Sequence, residues 1–323
     1  MGSLSKLQNQ FEVALKQLTL PSAPKELYEP IDYTLQLGGK RMRPLLVLLG
    51  CKLFSDDISE ALKPAIGIEL FHNFTLLHDD IMDDAPVRRG EPAVHKKWDS
   101  NIAILSGDAM MVKAYQNVVQ THSDALKPVL EIFNRTALEV CEGQQLDMNF
   151  EVRKDVTIEE YIEMIRLKTA VLLAASLQIG AIIGGASEEQ AALLYNFGLN
   201  SGIAFQLQDD ILDVYGESHK VGKQKGGDII ANKKTYLLLK AEELASAEVA
   251  SSLKNWLDDQ HQDSEKVQGV TDIYNQLGVK EFAEARMWEY FNLATESLKT
   301  VNGNAEWKKV LLDFSTQLMH RES

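Results

Sequence analysis

Apolar residues recur every three to four positions along most of the chain, which predicts helices almost throughout. Leu4 to Leu18 reads as a short amphipathic helix. A second runs from about Lys25 to Leu37 and stops at Gly38-Gly39, and Pro44 suits the first turn of a third, Leu45 to Phe54. Ser59 caps a long helix whose stripe of Leu70, Phe74, Leu77 and Ile81 leads to an acidic end. Residues 85–92 read as a loop, and helix resumes from about Val94 to Val119. Further helices are predicted at about Asp124–Asn149, Thr157–Ile183, Glu188–Tyr215, Thr235–Leu244, Ser246–Gln260, Ser264–Leu298 and Ala305–His320. No run alternates with period two, so no strand is predicted, and the fold class is all-α.

Two clusters of one shape interrupt this pattern: Asp79-Asp80-Ile81-Met82-Asp83 and Asp209-Asp210-Ile211-Leu212-Asp213. Each sets two carboxylates one helical turn apart with a third beside them. Ala85-Pro86 and Gly216 place both near helix C-termini, whose carbonyls already carry negative partial charge, so a cation has to compensate. Oxygen-only donors favour hard divalent ions, and Mg2+ characteristically shares one or two carboxylates with a substrate's phosphates. An acidic patch by itself is more often a solvated helix end. Here Leu76-Leu77 and Ile81-Met82 flank the first cluster, which predicts a helix buried nearly all round, and a matching second cluster strengthens the metal reading.

Composition narrows the choice. With 323 residues and 45% hydrophobic content the chain can bury a large core, as one big domain or two smaller ones. A net charge of −14 argues against nucleic acid as a partner. Cys51 and Cys141 are too few for a disulfide framework, and no apolar core follows the first basic residue as a signal peptide would require. The most apolar stretch, Ala170 to Gly185, is broken by Ser176 and Gln178 and is short for a membrane span. The expectation is a cytoplasmic protein that is not an integral membrane protein.

The cations are concentrated in motifs. Arg88-Arg89 follows the first cluster and suits bidentate binding of phosphate oxygens. Gly38-Gly39-Lys40-Arg41-Met42-Arg43-Pro44 sets three cations at a helix start, consistent both with a second phosphate site and with an exposed structural turn. Lys168-Thr169 interrupts a very apolar helix, where the lysine needs an anion from a substrate or an aspartate. Gly143-Gln144-Gln145-Leu146-Asp147 is a polar patch in a helix that otherwise faces the core, and by itself reads as a structural network.

Taken in order, these motifs resemble the trans-isoprenyl diphosphate synthase family, which includes the farnesyl and geranylgeranyl diphosphate synthases. The match runs from about Gly38 to Leu239. The resemblance implies one all-α domain over residues 1–323, a bundle of long helices around a central cavity, assembled as a homodimer. It implies three Mg2+ ions bridging Asp79, Asp80, Asp83, Asp209, Asp210 and Asp213 to the diphosphate of an allylic substrate. Arg88, Lys168, Thr169, Gln206, Lys223 and Lys233 match the other contacts to that substrate, and Lys40, Arg43, His72 and Arg89 match the site for isopentenyl diphosphate. Gln144 and Asp147 match a polar position near the metals, and Ala170 stands where the family often has Gly.

The chemistry implied is metal-assisted ionisation of dimethylallyl, geranyl or farnesyl diphosphate, followed by attack of isopentenyl diphosphate. Aromatic residues four and five positions before the first aspartate restrict the family's products to farnesyl length. Here only the fifth, Phe74, is aromatic, with Thr75 small and Phe71 further down, so geranylgeranyl length is favoured and farnesyl is next. A class I terpene cyclase and an all-helical metal phosphohydrolase are the alternatives. The cyclase does not need the Lys40/Arg43 site, and the phosphohydrolase leaves the second cluster unexplained.

Overall fold

The computed structural model describes residues 2–216, 226–258 and 261–320. Among these the α-helices are α1 (Gly2–Lys16), α2 (Lys25–Gln36), α3 (Met42–Lys52), α4 (Ser59–Met82), α5 (Val94–Lys97), α6 (Ser100–Val118), α7 (Ser123–Val152) and α8 (Ile158–Ile165). They continue with α9 (Val171–Ile183), α10 (Glu188–Tyr215), α11 (Gly227–Ile230), α12 (Tyr236–Leu244), α13 (Ala247–Leu257), α14 (Asp263–Leu277), α15 (Val279–Lys299) and α16 (Ala305–Met319). The all-α expectation holds.

Several boundaries differ from the sequence reading, each for a local reason. The helix expected over 94–119 breaks at Trp98, because Asp99 leaves helical geometry and its carboxylate caps α6 at the Ile102 N–H. The helix expected over 264–298 breaks at Gly278, which adopts φ +65 between α14 and α15. Asp57, not Ser59, holds the start of α4, accepting from the Ser59 N–H at 2.9 Å. The stretch expected to be a loop holds a minimal antiparallel hairpin, β1 (Val87–Arg88) and β2 (Glu91–Pro92). Strands of two residues are too short to show alternation. Arg89 and Gly90 both take positive φ, as a two-residue hairpin loop with native twist requires.

By its contacts the chain divides into two compact units, neither of them continuous in sequence. Unit 1 holds residues 1–134, 175–195 and 301–311. Here α4 packs against α6, α3 and α1, while α2 lies on α6. α3 is buried almost from end to end, and it meets α9 closely. A β-carbon on Gly180 would stand 1.9 Å from the Val47 carbonyl oxygen, so only glycine admits that approach.

Unit 2 holds residues 135–174, 196–300 and 312–323. Its core gathers Tyr161 and Ile165 of α8, Leu207 and Ile211 of α10, Leu237 and Leu238 of α12, Val270 and Tyr274 of α14, and Met287 and Phe291 of α15. A capping box starts α8: the Thr157 hydroxyl accepts from Glu160 N–H while the Glu160 carboxylate accepts from Thr157 N–H. Between α8 and α9 the backbone widens into a π segment, Arg166–Ala170, where Val171 N–H reaches back to the Arg166 carbonyl. Such widenings are concentrated at functional sites, and this one carries Lys168 and Thr169.

Candidate active site

In unit 1, α4 delivers the first aspartates at its C-terminal end. Asp80 is buried and Asp79 half-buried, while Asp83 and Asp84 stand exposed. The helix was expected to be buried nearly all round at this point; instead it emerges, with Met82 51% exposed, because the chain leaves the core at Asp83. Asp80 is gripped by Arg88, whose Nε lies 3.0 Å from one carboxylate oxygen and 3.1 Å from the other, with Nη2 also on the first. Burial pushes the Asp80 carboxyl up, and the guanidinium opposes that shift. Arg88 Nη2 also stands 3.8 Å from Asp79. Asp84 takes positive φ and pairs with Lys96, which holds its carboxyl below the ordinary range.

Arg89 turns the other way and donates to the Gly38 carbonyl. Its guanidinium packs so closely on Gly39 that a β-carbon there would lie 2.9 Å from Arg89 Cζ. Arg43 Nη1 lies 3.1 Å from His72 Nε2 on α4. A guanidinium only donates, so that nitrogen accepts and His72 is neutral with its proton on Nδ1. Burial, then Arg43, Arg89, Arg88 and Arg41, hold the imidazole well below its usual range. Arg43, His72 and Arg89 are thus brought together around the 38–43 turn, and Lys40 is exposed on that turn.

In unit 2 the second aspartates lie on the last turns of α10. Asp210 is buried; the Tyr161 hydroxyl donates to one of its oxygens and Gln206 Nε2 donates to the other at 3.1 Å. Burial pushes the Asp210 carboxyl well above the ordinary range, and the charge of Asp228 pushes the same way. Asp213 accepts from the Asp228 N–H at 3.1 Å, which ties α11 to the aspartate motif. The π segment presents Lys168 Nζ to Asp147 at 2.6 Å and Thr169 Oγ1 to Gln206 Oε1 at 3.2 Å. Gly143 on α7 makes room for that backbone, since a β-carbon there would lie 2.2 Å from the Lys168 nitrogen. Asp147, Tyr161, Lys168, Gln206, Asp210 and Lys233 are among the residues that border a cavity of about 110 Å3, with Thr169 and Asp228 also on its wall.

Of the two anions expected for Lys168, substrate or aspartate, the structure supplies Asp147, while Gln144 Nε2 is buried without a partner. Lys223 lies outside the described residues. Sequence reasoning missed Tyr161, Asp228 and Glu69. Tyr161 read as one more apolar position of α8, and only its tertiary partner reveals a polar role.

The carboxylates suit a hard cation by donor type. Among the described residues no three acidic, His or Cys side chains converge tightly enough to hold a metal by themselves.

Arg43 and Arg89 stand by His72 on α4, the first acids lie at the end of that helix, and the second acids lie on the last turns of α10. The polyprenyl synthetase family model matches residues 24–276, and the chain belongs to that family. The short chain isoprenyl diphosphate synthase of Methanothermobacter thermautotrophicus is 37% identical, covering 100% of this chain and 98% of its own. The geranylgeranyl diphosphate synthase of Methanosarcina mazei is 42% identical over 72% of each chain. A crystal structure of a geranylgeranyl pyrophosphate synthase is 44% identical with a TM-score of 0.95, covering 100% of both chains. The chain is a prenyltransferase, and the cyclase and phosphohydrolase readings lose to it. Enzymes of this family bind isopentenyl and allylic diphosphates and generally use Mg2+.

Proposed function

We propose that this enzyme joins isopentenyl diphosphate to dimethylallyl, geranyl or farnesyl diphosphate and releases diphosphate, with geranylgeranyl diphosphate as its main product. The observation that carries this reading is the gathering of Arg43, His72 and Arg89 around the 38–43 turn, a cationic set separate from Arg88, which serves the aspartates. A cyclase, which ionises one diphosphate, has no use for a second such set. The test supplies Mg2+, isopentenyl diphosphate and each primer in turn and sizes the products by chromatography. Hydrocarbon release from geranylgeranyl diphosphate alone, or free monophosphate, would refute it.

The residues divide the work by chemistry. Asp79, Asp80, Asp83, Asp209, Asp210 and Asp213 would hold Mg2+, three ions in this proposal, for one allylic diphosphate. When bound, those ions supply the positive charge that draws the leaving diphosphate off carbon. Arg88, Lys168, Lys223 and Lys233 add fixed positive charge where negative charge develops. Thr169 and Gln206 orient the leaving group, and Gln206 also holds Asp210. Lys40, Arg43, His72 and Arg89 fix the second diphosphate so that its terminal double bond faces the new cation. The departing diphosphate takes the proton, so no side-chain base is needed. Apolar helix faces keep water from the cation.

Product length is assigned to α4. Phe71 is fully buried, edge-on to Phe133 with centroids 5.4 Å apart. Phe74 is only half-buried and packs on His78 at 4.8 Å, and Thr75 Oγ1 is occupied by the His72 carbonyl. Phe74 is therefore the large side chain with room to act as a floor. Phe74→Ala lengthens the product by at least one isoprene unit; identical chromatograms would remove Phe74 from the role.

The whole chain is proposed to work as one catalytic domain and as a homodimer. Leu105 and Val112 on α6 and Val119 at its C-cap are exposed and follow each other at heptad spacing, the pattern of an unpartnered helix face. A monomer mass by light scattering would exclude the dimer. The most apolar 18-residue window within residues 158–183 is 72% buried within the fold, which supports a cytoplasmic enzyme outside the bilayer. Recovery only with detergent would contradict that location.

A further inference from the structure

We infer that Arg41 and Glu69 form a positioning pair that sets the geometry of the isopentenyl diphosphate site, an inference that rests on the assignment of Lys40, Arg43 and Arg89 to that site. Arg41 lies between two of these cations, yet it faces inward. Its side chain is 3% exposed and that of Glu69 is 2% exposed, with Nη1 and Oε1 2.6 Å apart. Nη2 donates to the Leu35 carbonyl at 2.5 Å, and Nε lies 3.4 Å from Glu12 Oε1. One guanidinium therefore ties α1 through Glu12, α2 through Leu35 and α4 through Glu69 to the first residue of the turn that opens α3. Asn73 completes the arrangement, donating to Glu69 Oε1 at 2.9 Å.

The backbone is arranged around this contact. Arg41 takes φ +48 and ψ +36, a left-handed conformation that a side chain other than glycine keeps only where its surroundings demand it. Gly38 and Gly39 also have positive φ, so the turn reverses sharply immediately before Arg41. Arg41 holds α4 at Glu69, and Arg43 meets α4 at His72, one turn further on. The spacing between these two grips fixes where Arg43 stands relative to His72 and where the Gly38 carbonyl meets Arg89.

Charge gives the pair a second role. His72 is surrounded by Arg41, Arg43, Arg88 and Arg89, and it is neutral. Glu69 is a buried carboxylate on the same helix, one turn before His72, and its field also reaches Arg89. It stands in for an anion among the guanidinia. An arginine fork serves three acceptors at once, which lysine cannot do.

The test uses Arg41→Lys, which keeps the charge, and the double variant Arg41→Met/Glu69→Met, which leaves net charge unchanged. Replacing both members of a buried pair by apolar residues commonly preserves folding, and circular dichroism verifies it. The expected result is a KM for isopentenyl diphosphate raised about tenfold or more, within the ~100-fold that a 1 Å misplacement costs, with the allylic KM moved less than about twofold. Affinity for inorganic pyrophosphate without metal, read by calorimetry, should fall by a similar factor in both variants. Unchanged pyrophosphate affinity in either folded variant, or equal rises in both KM values, overturns the inference. Failure of the unaltered enzyme to condense the two diphosphates would instead overturn the functional assignment, and the pyrophosphate measurement would still decide the role of the pair.

Discussion

Chelation of divalent cations with EDTA abolishes condensation, at least about a 10³-fold loss, and added Mg2+ restores it. The expectation follows from the acids themselves. Asp210 is buried with Asp228 beside it, and a phenol and an amide bond its oxygens. Both of these partners are neutral, whereas Asp80 is held by the Arg88 guanidinium. Product formation followed by radiolabelled isopentenyl diphosphate measures the loss. Full turnover in EDTA would mean that side-chain cations alone carry the leaving diphosphate.

Asp79→Asn and Asp209→Asn each lower kcat by about 10²–10³, the scale seen when one group that stabilises developing charge is removed. Both substitutions keep side-chain volume, so the helical circular dichroism should be unchanged. Their combination distinguishes one shared diphosphate from two separate binding events. Groups acting as a unit are strongly non-additive, so the double variant should lose little more than either single. Losses that multiply to about 10⁴–10⁶ would place the two motifs on different steps.

Much of this was legible in the sequence because the signals are local. α10 begins and ends where expected, since Glu188-Glu189 open it and Gly216 follows its last turn. The aspartate motifs were conspicuous through repetition, and the Gly38–Pro44 turn through its cations. What was not legible depends on partners distant in sequence. Arg41 reads as one of three exposed cations until Glu69, 28 positions away, is placed against it. Tyr161 reads as core until Asp210, 49 positions away, takes its hydroxyl. The break at Gly278 is not legible because a lone glycine inside a helical pattern is tolerated, nor is the hairpin, whose strands are too short to alternate.

The widened turn at Arg166–Ala170 limits how this enzyme can be redesigned or can drift. In a regular helix one residue more or fewer swings every following side chain by about 100°, whereas a widened turn takes up the extra residue locally. A single deletion there would restore an unbroken α-helical ladder, and on hydrogen bonding alone it would count as an improvement. It would also carry Lys168 away from Asp147 and Thr169 away from Gln206. Stabilising campaigns that regularise helices should therefore leave these five positions untouched, because the irregularity is what aims the cation.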